Sequence, residues 1–257
     1  MGALTYPNFT KAWEGINELF LDTPSSLLKE YNGVRQARAM YLYNVSILVE
    51  KPELDPEFDF GRLFNYTNQK WKMLMGNYIN MGELRELKEE LNTYIGGKKP
   101  KPYNISYNFS NTHKHGKKCL LALLLTKRFG DNIPYITLYL RSSEITKRLS
   151  VDFLLAQRIG EYLFEGNPFK VVFNINQLFN DDTVLLMYGA YKDISHILKN
   201  GKNEYCSILY KRLKEMLQGE ENQFKSYKVH WRAFKVLRPD LYTYPCTLAK
   251  ECKLPKE

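Results

Sequence analysis

The chain has 257 residues, of which 44% are hydrophobic and 25% charged, and it carries a net charge of +9. That length supports one sizeable core and calls for no second one, so a single domain over residues 1–257 is expected. The composition excludes a disordered chain. No apolar run reaches the length of a membrane span, and Met1 to Leu21 mixes Lys, Glu and Asn into its apolar positions, so no membrane contact and no secretory leader are expected. Cys119, Cys206, Cys246 and Cys252 form no CxxC pair, which points to a reducing, cytoplasmic setting.

Phe9 to Phe20 places Phe9, Trp13, Ile16 and Phe20 at helical spacing, and Asp22-Thr-Pro-Ser-Ser26 ends that helix. Arg35 and Arg38 precede a strand over Tyr41 to Val49, which stops at Lys51-Pro52, and Glu53 to Phe60 reads as a loop. Helices are expected over Asn65 to Ile79 and over Glu83 to Tyr94, the second with Leu84, Leu87 and Leu91 on one face and Gly96-Gly97 as its C-cap. Strand character then takes over at Tyr103 to Phe109, Cys119 to Thr126 and Tyr135 to Leu140, with a turn at Phe129 to Asn132. A helix over Val151 to Glu165 is followed by strands at Phe169 to Leu178 and Val184 to Tyr191 and a helix at Asn203 to Gln218. Lys225 to Leu237 reads as a strand or a helix, before an irregular tail. The order implies an α+β fold in which helices pack on one mostly antiparallel or mixed sheet.

Two features carry chemistry. Basic residues cluster at Lys98-Lys-Pro-Lys101 and at His113-Lys-His-Gly-Lys-Lys118, which suits an anionic partner: a phosphorylated small molecule or nucleic acid. Between a strand and a helix, Arg141-Ser142 offers a cation and a hydroxyl, a workable anion site. His113 and His115 have no partner at metal-ligand spacing, so no metal is expected.

The set Arg141-Ser142-Ser143-Glu144, with Asp152 eleven positions after Arg141, resembles the thymidylate synthase and deoxycytidylate hydroxymethylase superfamily. That family carries Arg-Ser-x-Asp, a loop, and a helix opening on Asn or Asp. Cys119-Leu-Leu-Ala-Leu-Leu-Leu lies where the family places its nucleophilic cysteine, and Asn44-Val-Ser-Ile-Leu-Val-Glu-Lys-Pro52 looks like its early strand. The similarity spreads over roughly residues 35 to 165. It implies a thymidylate synthase-like fold, a homodimer, and C5 methyl or hydroxymethyl transfer to a pyrimidine nucleotide monophosphate from methylene tetrahydrofolate. Cys119 would be the nucleophile, and Arg141 and Ser142 would hold the 5′-phosphate. Asp152, standing where synthases have Asn, would read a cytosine base. Arg35, Arg38, Lys99 and Lys101 would add phosphate contacts.

Each residue has a plainer reading. Cys119 can be an inert buried cysteine, Arg141 and Glu144 a structural ion pair, and Asp152 a helix cap. Lys117-Lys118-Cys119-Leu120 also replaces the family's Pro-Cys-His, and Thr67-Asn68-Gln69-Lys70-Trp71 stands where the family carries a catalytic Glu two residues ahead of a Leu-Trp pair. The alternative is therefore a retooled member of the same fold that has lost catalysis and binds nucleotide or nucleic acid through Arg141, Ser142 and the basic loops.

Overall fold

The computed structural model describes residues 3–22, 34–36, 39–64, 66–96, 101–109, 119–180 and Val236. β1 (Leu4–Asn8) runs into α1 (Phe9–Asp22), followed by β2 (Val34–Gln36), β3 (Ala39–Lys51), α2 (Phe60–Phe64), α3 (Asn68–Tyr78) and α4 (Met81–Ile95). Then come β4 (Tyr103–Asn108), β5 (Leu120–Lys127), β6 (Tyr135–Glu144), α5 (Arg148–Phe164) and β7 (Lys170–Phe179). The elements expected at Val184 to Tyr191 and Asn203 to Gln218 lie outside the described residues, as does all of Lys225 to Leu237 except Val236.

Six strands lie side by side in the order β1-β3-β7-β6-β5-β4, and β2 pairs with β3 beside that row. β1 with β3 and β6 with β7 are parallel, and the other pairs are antiparallel. The sheet is mixed and the class is α+β. The parallel pair β6–β7 is joined through α5, because parallel neighbours need a crossover rather than a hairpin. The sequence reading lacks β1. Leu4-Thr-Tyr-Pro-Asn8 is short and holds a proline, which a sheet tolerates at an edge, and β1 is an edge strand among the described residues.

One face of the sheet is the core. Val45, Ile47 and Val49 of β3, Val171, Phe173 and Ile175 of β7, and Ile136, Leu138 and Leu140 of β6 share it by register and are buried. Onto it α1 sets Phe9, Trp13, Ile16 and Phe20, the stripe expected from their spacing. Phe9 stacks on Phe153 of α5 with ring centres 4.8 Å apart, and Phe153 meets Phe173 at 5.1 Å. α2 falls partly in the expected loop. Phe58, Phe60 and Phe64 all pack against Trp13, and the burial of Phe60 and Phe64 favours the single turn of helix that carries them. α4 begins at Asn80, whose Oδ1 accepts from the Gly82 N–H at 3.0 Å, and joins α5 through a Lys88–Glu165 ion pair of 2.5 Å. Gly96 caps α4 in a right-handed conformation (φ −74°), its N–H donating to the Asn92 carbonyl at 2.9 Å, and Gly97 lies outside the described residues.

The alternation of buried residues breaks along a line across four strands. In β6 the buried series Ile136, Leu138, Leu140 resumes at Ser143, and in β7 Val171, Phe173, Ile175 resumes at Leu178. In β3 the series steps from Val45 to Leu42 across Asn44, which has φ 56°. In β5 the register shifts between Leu120 and Ala122, and the buried series steps from Leu120 to Leu123. These steps are neighbours, since Leu140 pairs with both Leu120 and Ile175, and Ile175 with Val45. A step of three in a strand turns every later side chain to the other face and increases local twist. Beyond the line, Ser143, Leu178 and Leu42 point inward.

Candidate functional site

β6 does not end at Leu140. It continues to Glu144, so Arg141 and Ser142 lie inside the strand, and a three-residue turn, Ile145 to Lys147, leads straight into α5 at Arg148. The helix therefore starts three residues before the expected Val151. Asp152 sits one turn into it and is not its cap. The capping group is Glu144, buried at 6% exposure. Its carboxylate accepts from the Thr146 N–H at 2.7 Å, the Lys147 N–H at 2.8 Å and the Arg148 N–H at 3.3 Å. Those N–H groups have no partner within the helix, and a carboxylate also suits the positive end of the helix dipole.

α1 holds the same turn from the other side. Trp13 donates from Nε1 to the Thr146 carbonyl at 2.6 Å, and Asn17 donates to the Ile145 carbonyl at 3.2 Å. The Thr146 hydroxyl donates back to Asn17 Oδ1 at 3.0 Å. From a third direction the Tyr66 hydroxyl donates to the Lys147 carbonyl at 3.3 Å. Every polar group in this network is paired, which gives the turn a single geometry.

Around this turn the structure gathers three of the predicted residues. Cys119 precedes β5, is half-buried, and its carbonyl accepts from the Arg141 N–H at 2.7 Å. Its Sγ lies 3.8 Å from the Ser142 hydroxyl. Asp152 is also half-buried, and its Oδ2 accepts from the Ser143 hydroxyl at 2.7 Å, a contact that exists because the phase change in β6 turns Ser143 inward. Burial pushes the Asp152 carboxyl up to about 7, against the opposing effects of the Ser143 hydrogen bond and the nearby Arg148 guanidinium. Asp152 can thus serve as a neutral acid or as a carboxylate near neutral pH.

Sequence reasoning missed three participants. Tyr78, at the end of α3, has its hydroxyl pushed up, first by burial and then by the charges of Cys119 and Asp152, while the Cys119 backbone N–H and Arg148 act the other way. The phenol therefore lies close to both groups. Ser143 holds the Asp152 carboxylate, and Arg148 sits four residues before Asp152, on the same face of α5. The i, i+4 spacing of Arg148 and Asp152 is visible in the sequence once the helix start is known. No signal in the sequence places Tyr78 here.

The other predicted residues are distributed differently. Arg141 is exposed on β6 beside Ser142. Arg35 belongs to β2 and pairs with Met40, next to the Tyr41–Phe179–Glu144 row, so its backbone lies at the same end of the sheet as the turn. Lys101 is exposed before β4, whose first residue Tyr103 pairs with Lys127 at the far end of β5 from Cys119. At roughly 3.3 Å per residue that far end is some 25 Å from Cys119, so within one chain Lys101 does not join the cluster. Arg38 and Lys99 lie outside the described residues, as do His113 to Lys118. No group of three or more metal-ligating side chains occurs among the described residues, and no helix among them is long and apolar enough to cross a membrane. In comparisons with known proteins, no family model and no curated protein matches the chain.

Proposed function

We propose that the chain has a thymidylate synthase-like fold and transfers a methyl or hydroxymethyl group to C5 of a pyrimidine nucleotide monophosphate, preferring cytosine, as a homodimer. The observation that supports this reading is that two consecutive serines at the end of β6 meet the two groups, Ser142 beside the Cys119 sulfur and Ser143 on the Asp152 carboxylate. The Cys119 thiolate adds to C6 of the base and makes C5 nucleophilic. Asp152 faces the base edge: as a neutral acid it donates to N3 of cytosine while its carbonyl oxygen accepts from the 4-amino group. Ser143 fixes the carboxyl for that contact, and Tyr78, whose hydroxyl feels both Cys119 and Asp152, is a candidate proton carrier. Arg141 and Ser142 take the 5′-phosphate, with Arg35, Arg38, Lys99 and Lys101 as further contacts from this subunit or its partner. Methylene tetrahydrofolate, when bound, supplies the electrophilic carbon, and no described residue is given a role towards it.

The test is tritium release from C5-labelled dCMP and dUMP in the presence of methylene tetrahydrofolate. Release from dCMP is expected, and Cys119→Ala is expected to lower it by about four orders of magnitude or more, as for loss of a covalent nucleophile. No release from either nucleotide by the wild-type protein ends the catalytic reading. Thr67-Asn68-Gln69-Lys70-Trp71, which holds no Glu where the resemblance calls for one, favours the second reading, nucleotide or nucleic-acid binding without turnover. Steeply salt-dependent oligonucleotide binding with no mononucleotide binding would establish it.

A further inference from the structure

The β5–β6 hairpin carries features that the turn at Glu144 does not use. α1, α2, α4 and α5 bury their apolar residues in one core, on one side of the sheet. β6 sends Ile136, Leu138 and Leu140 into that core, so Tyr135 and Tyr139 project from the other side, about 13 Å apart along the strand. Tyr139 is 40% exposed, and its neighbours by register are small or polar: Ala122 of β5 and Asn174 of β7. At the hairpin tip Phe129 is 94% exposed, in a turn that the Asp131 N–H closes on the Arg128 carbonyl at 3.2 Å. Neither Phe129 nor Tyr139 packs on another ring among the described residues. A lone exposed apolar side chain is ordinary, but three rings in line along one hairpin, with cations between them, make a stacking platform.

Those cations are placed by the strand pairing. Lys127 and Arg128 precede Phe129, and Lys101 stands two residues before Tyr103, which pairs with Lys127. Lys170 lies over the Tyr135 ring, 5.9 Å from its centre. Two carboxylates oppose these four charges: Glu50, bonded to Lys170, and Asp131 in the turn. The cleft at Ile133 adds Glu53 and Glu161, but also Lys51 and the Arg158 that pairs with Glu161, so the excess of cations stands. Unpaired bases suit the rings, and the phosphates that join them suit the cations. A second copy of the chain on this face would have to bury the Asn174 amide and the same cations.

We propose that the tip and outer face of the β5–β6 hairpin bind single-stranded nucleic acid, with bases stacked on Phe129 and Tyr139 and phosphates on Lys101, Lys127 and Arg128. The proposal rests on the second reading above for the class of ligand alone, and it holds with or without turnover at Cys119. It also gives a place to Lys101, which within one chain does not join the Cys119 cluster.

Fluorescence anisotropy of the full chain with labelled oligothymidylate and oligouridylate of about twelve nucleotides tests the surface. The wild type is expected to bind both, and to bind a duplex of equal length more weakly. Phe129→Ala and Tyr139→Leu are each expected to weaken binding about tenfold. Lys101→Ala/Arg128→Ala is expected to flatten the slope of log affinity against log salt by about 1.4, for two lost phosphate contacts. Lys101, Arg128 and Phe129 are exposed, and leucine suits a strand at Tyr139. If Tyr139→Leu nevertheless fails to fold, as its melting curve would show, Phe129→Ala and the double variant decide. No oligonucleotide binding by the wild type overturns the proposal, as does equal affinity for the duplex or binding that these variants leave unchanged. Binding that only Arg141→Ala weakens would keep the second reading and refute this surface. A dimer that Phe129→Ala or Tyr139→Leu dissociates in sedimentation, with oligonucleotide binding unchanged, would assign the face to a second copy instead.

Discussion

Asp152 couples the chemistry of the site to the stability of the fold. Its carboxyl is held up at about 7 by burial, against an ordinary value of 3.8, so the folded chain keeps a proton that the unfolded chain releases. Stability tied to this residue is therefore fully present at low pH. It is lost as the pH rises through the interval between those two values, and the cost is complete above about 7. Asp152→Asn removes the ionisation. It is expected to melt above the wild type at pH 8, by on the order of 2 kcal/mol, with the gap closing as the pH approaches 4. Melting curves across that range check it, and a gap that stays constant with pH would show that Asp152 titrates normally. In the reading proposed above, the same substitution shifts base preference towards uracil, since an amide can accept from N3–H and donate to the 4-oxo group.

At the scale of the element, the β6–α5 connection depends on Glu144. Glu144→Ala leaves the first N–H groups of α5 without their acceptor in a buried setting and is expected to cost about 2–4 kcal/mol. Glu144→Gln keeps one good acceptor oxygen and should cost less, which urea unfolding of the two variants would show. α5 has a second tight point at Gly160, which packs face to face with Phe169; a Cβ added there would overlap the ring. Phe169 is nearly buried and stacked on Phe164 at 5.3 Å, so it has little room to yield. Gly160→Ala is expected to destabilise by about 1–3 kcal/mol through overpacking, against the small gain in helix propensity alanine would bring on an open face. A Gly160→Ala chain as stable as the wild type would mean that Phe169 can swing away.

For the whole molecule, the distance along the chain between cooperating parts is the governing fact. Trp13 and Thr146 are 133 positions apart, yet their hydrogen bond fixes the turn that carries Glu144 at one end and leads to Asp152 at the other. Trp13→Phe keeps most of the buried ring area but strands the Thr146 carbonyl, and should cost about 1–3 kcal/mol. It should also weaken nucleotide binding more than a substitution of equal cost elsewhere in the core, because it loosens the turn itself. Paired denaturation and nucleotide titrations of Trp13→Phe and Ile105→Val separate the two effects. Equal losses of affinity at equal losses of stability would count against a special role for the turn.

Much of this was legible in the sequence because it is local. The α1 stripe of Phe9, Trp13, Ile16 and Phe20, the α4 stripe of Leu84, Leu87 and Leu91, and the alternating strands are periodicities, and burial follows them. Cys119, Ser142 and Asp152 were named from spacing and resemblance, and the fold sets Cys119 beside Ser142 and Asp152 against the neighbouring Ser143. What the tertiary structure alone decided is how the strand delivers them. A regular β6 running past Leu140 would turn Ser142 towards α5 and Ser143 away. The three-residue step shared by β5, β6, β7 and β3 reverses that, so Ser143 holds Asp152. A step of this kind is set by pairing with neighbours on both sides, so nothing within the ten residues of β6 announces it. The arrival of Trp13, Asn17 and Tyr66 at one turn has the same origin. Side chains far apart in sequence meet there because each segment buries its own apolar face on a common sheet.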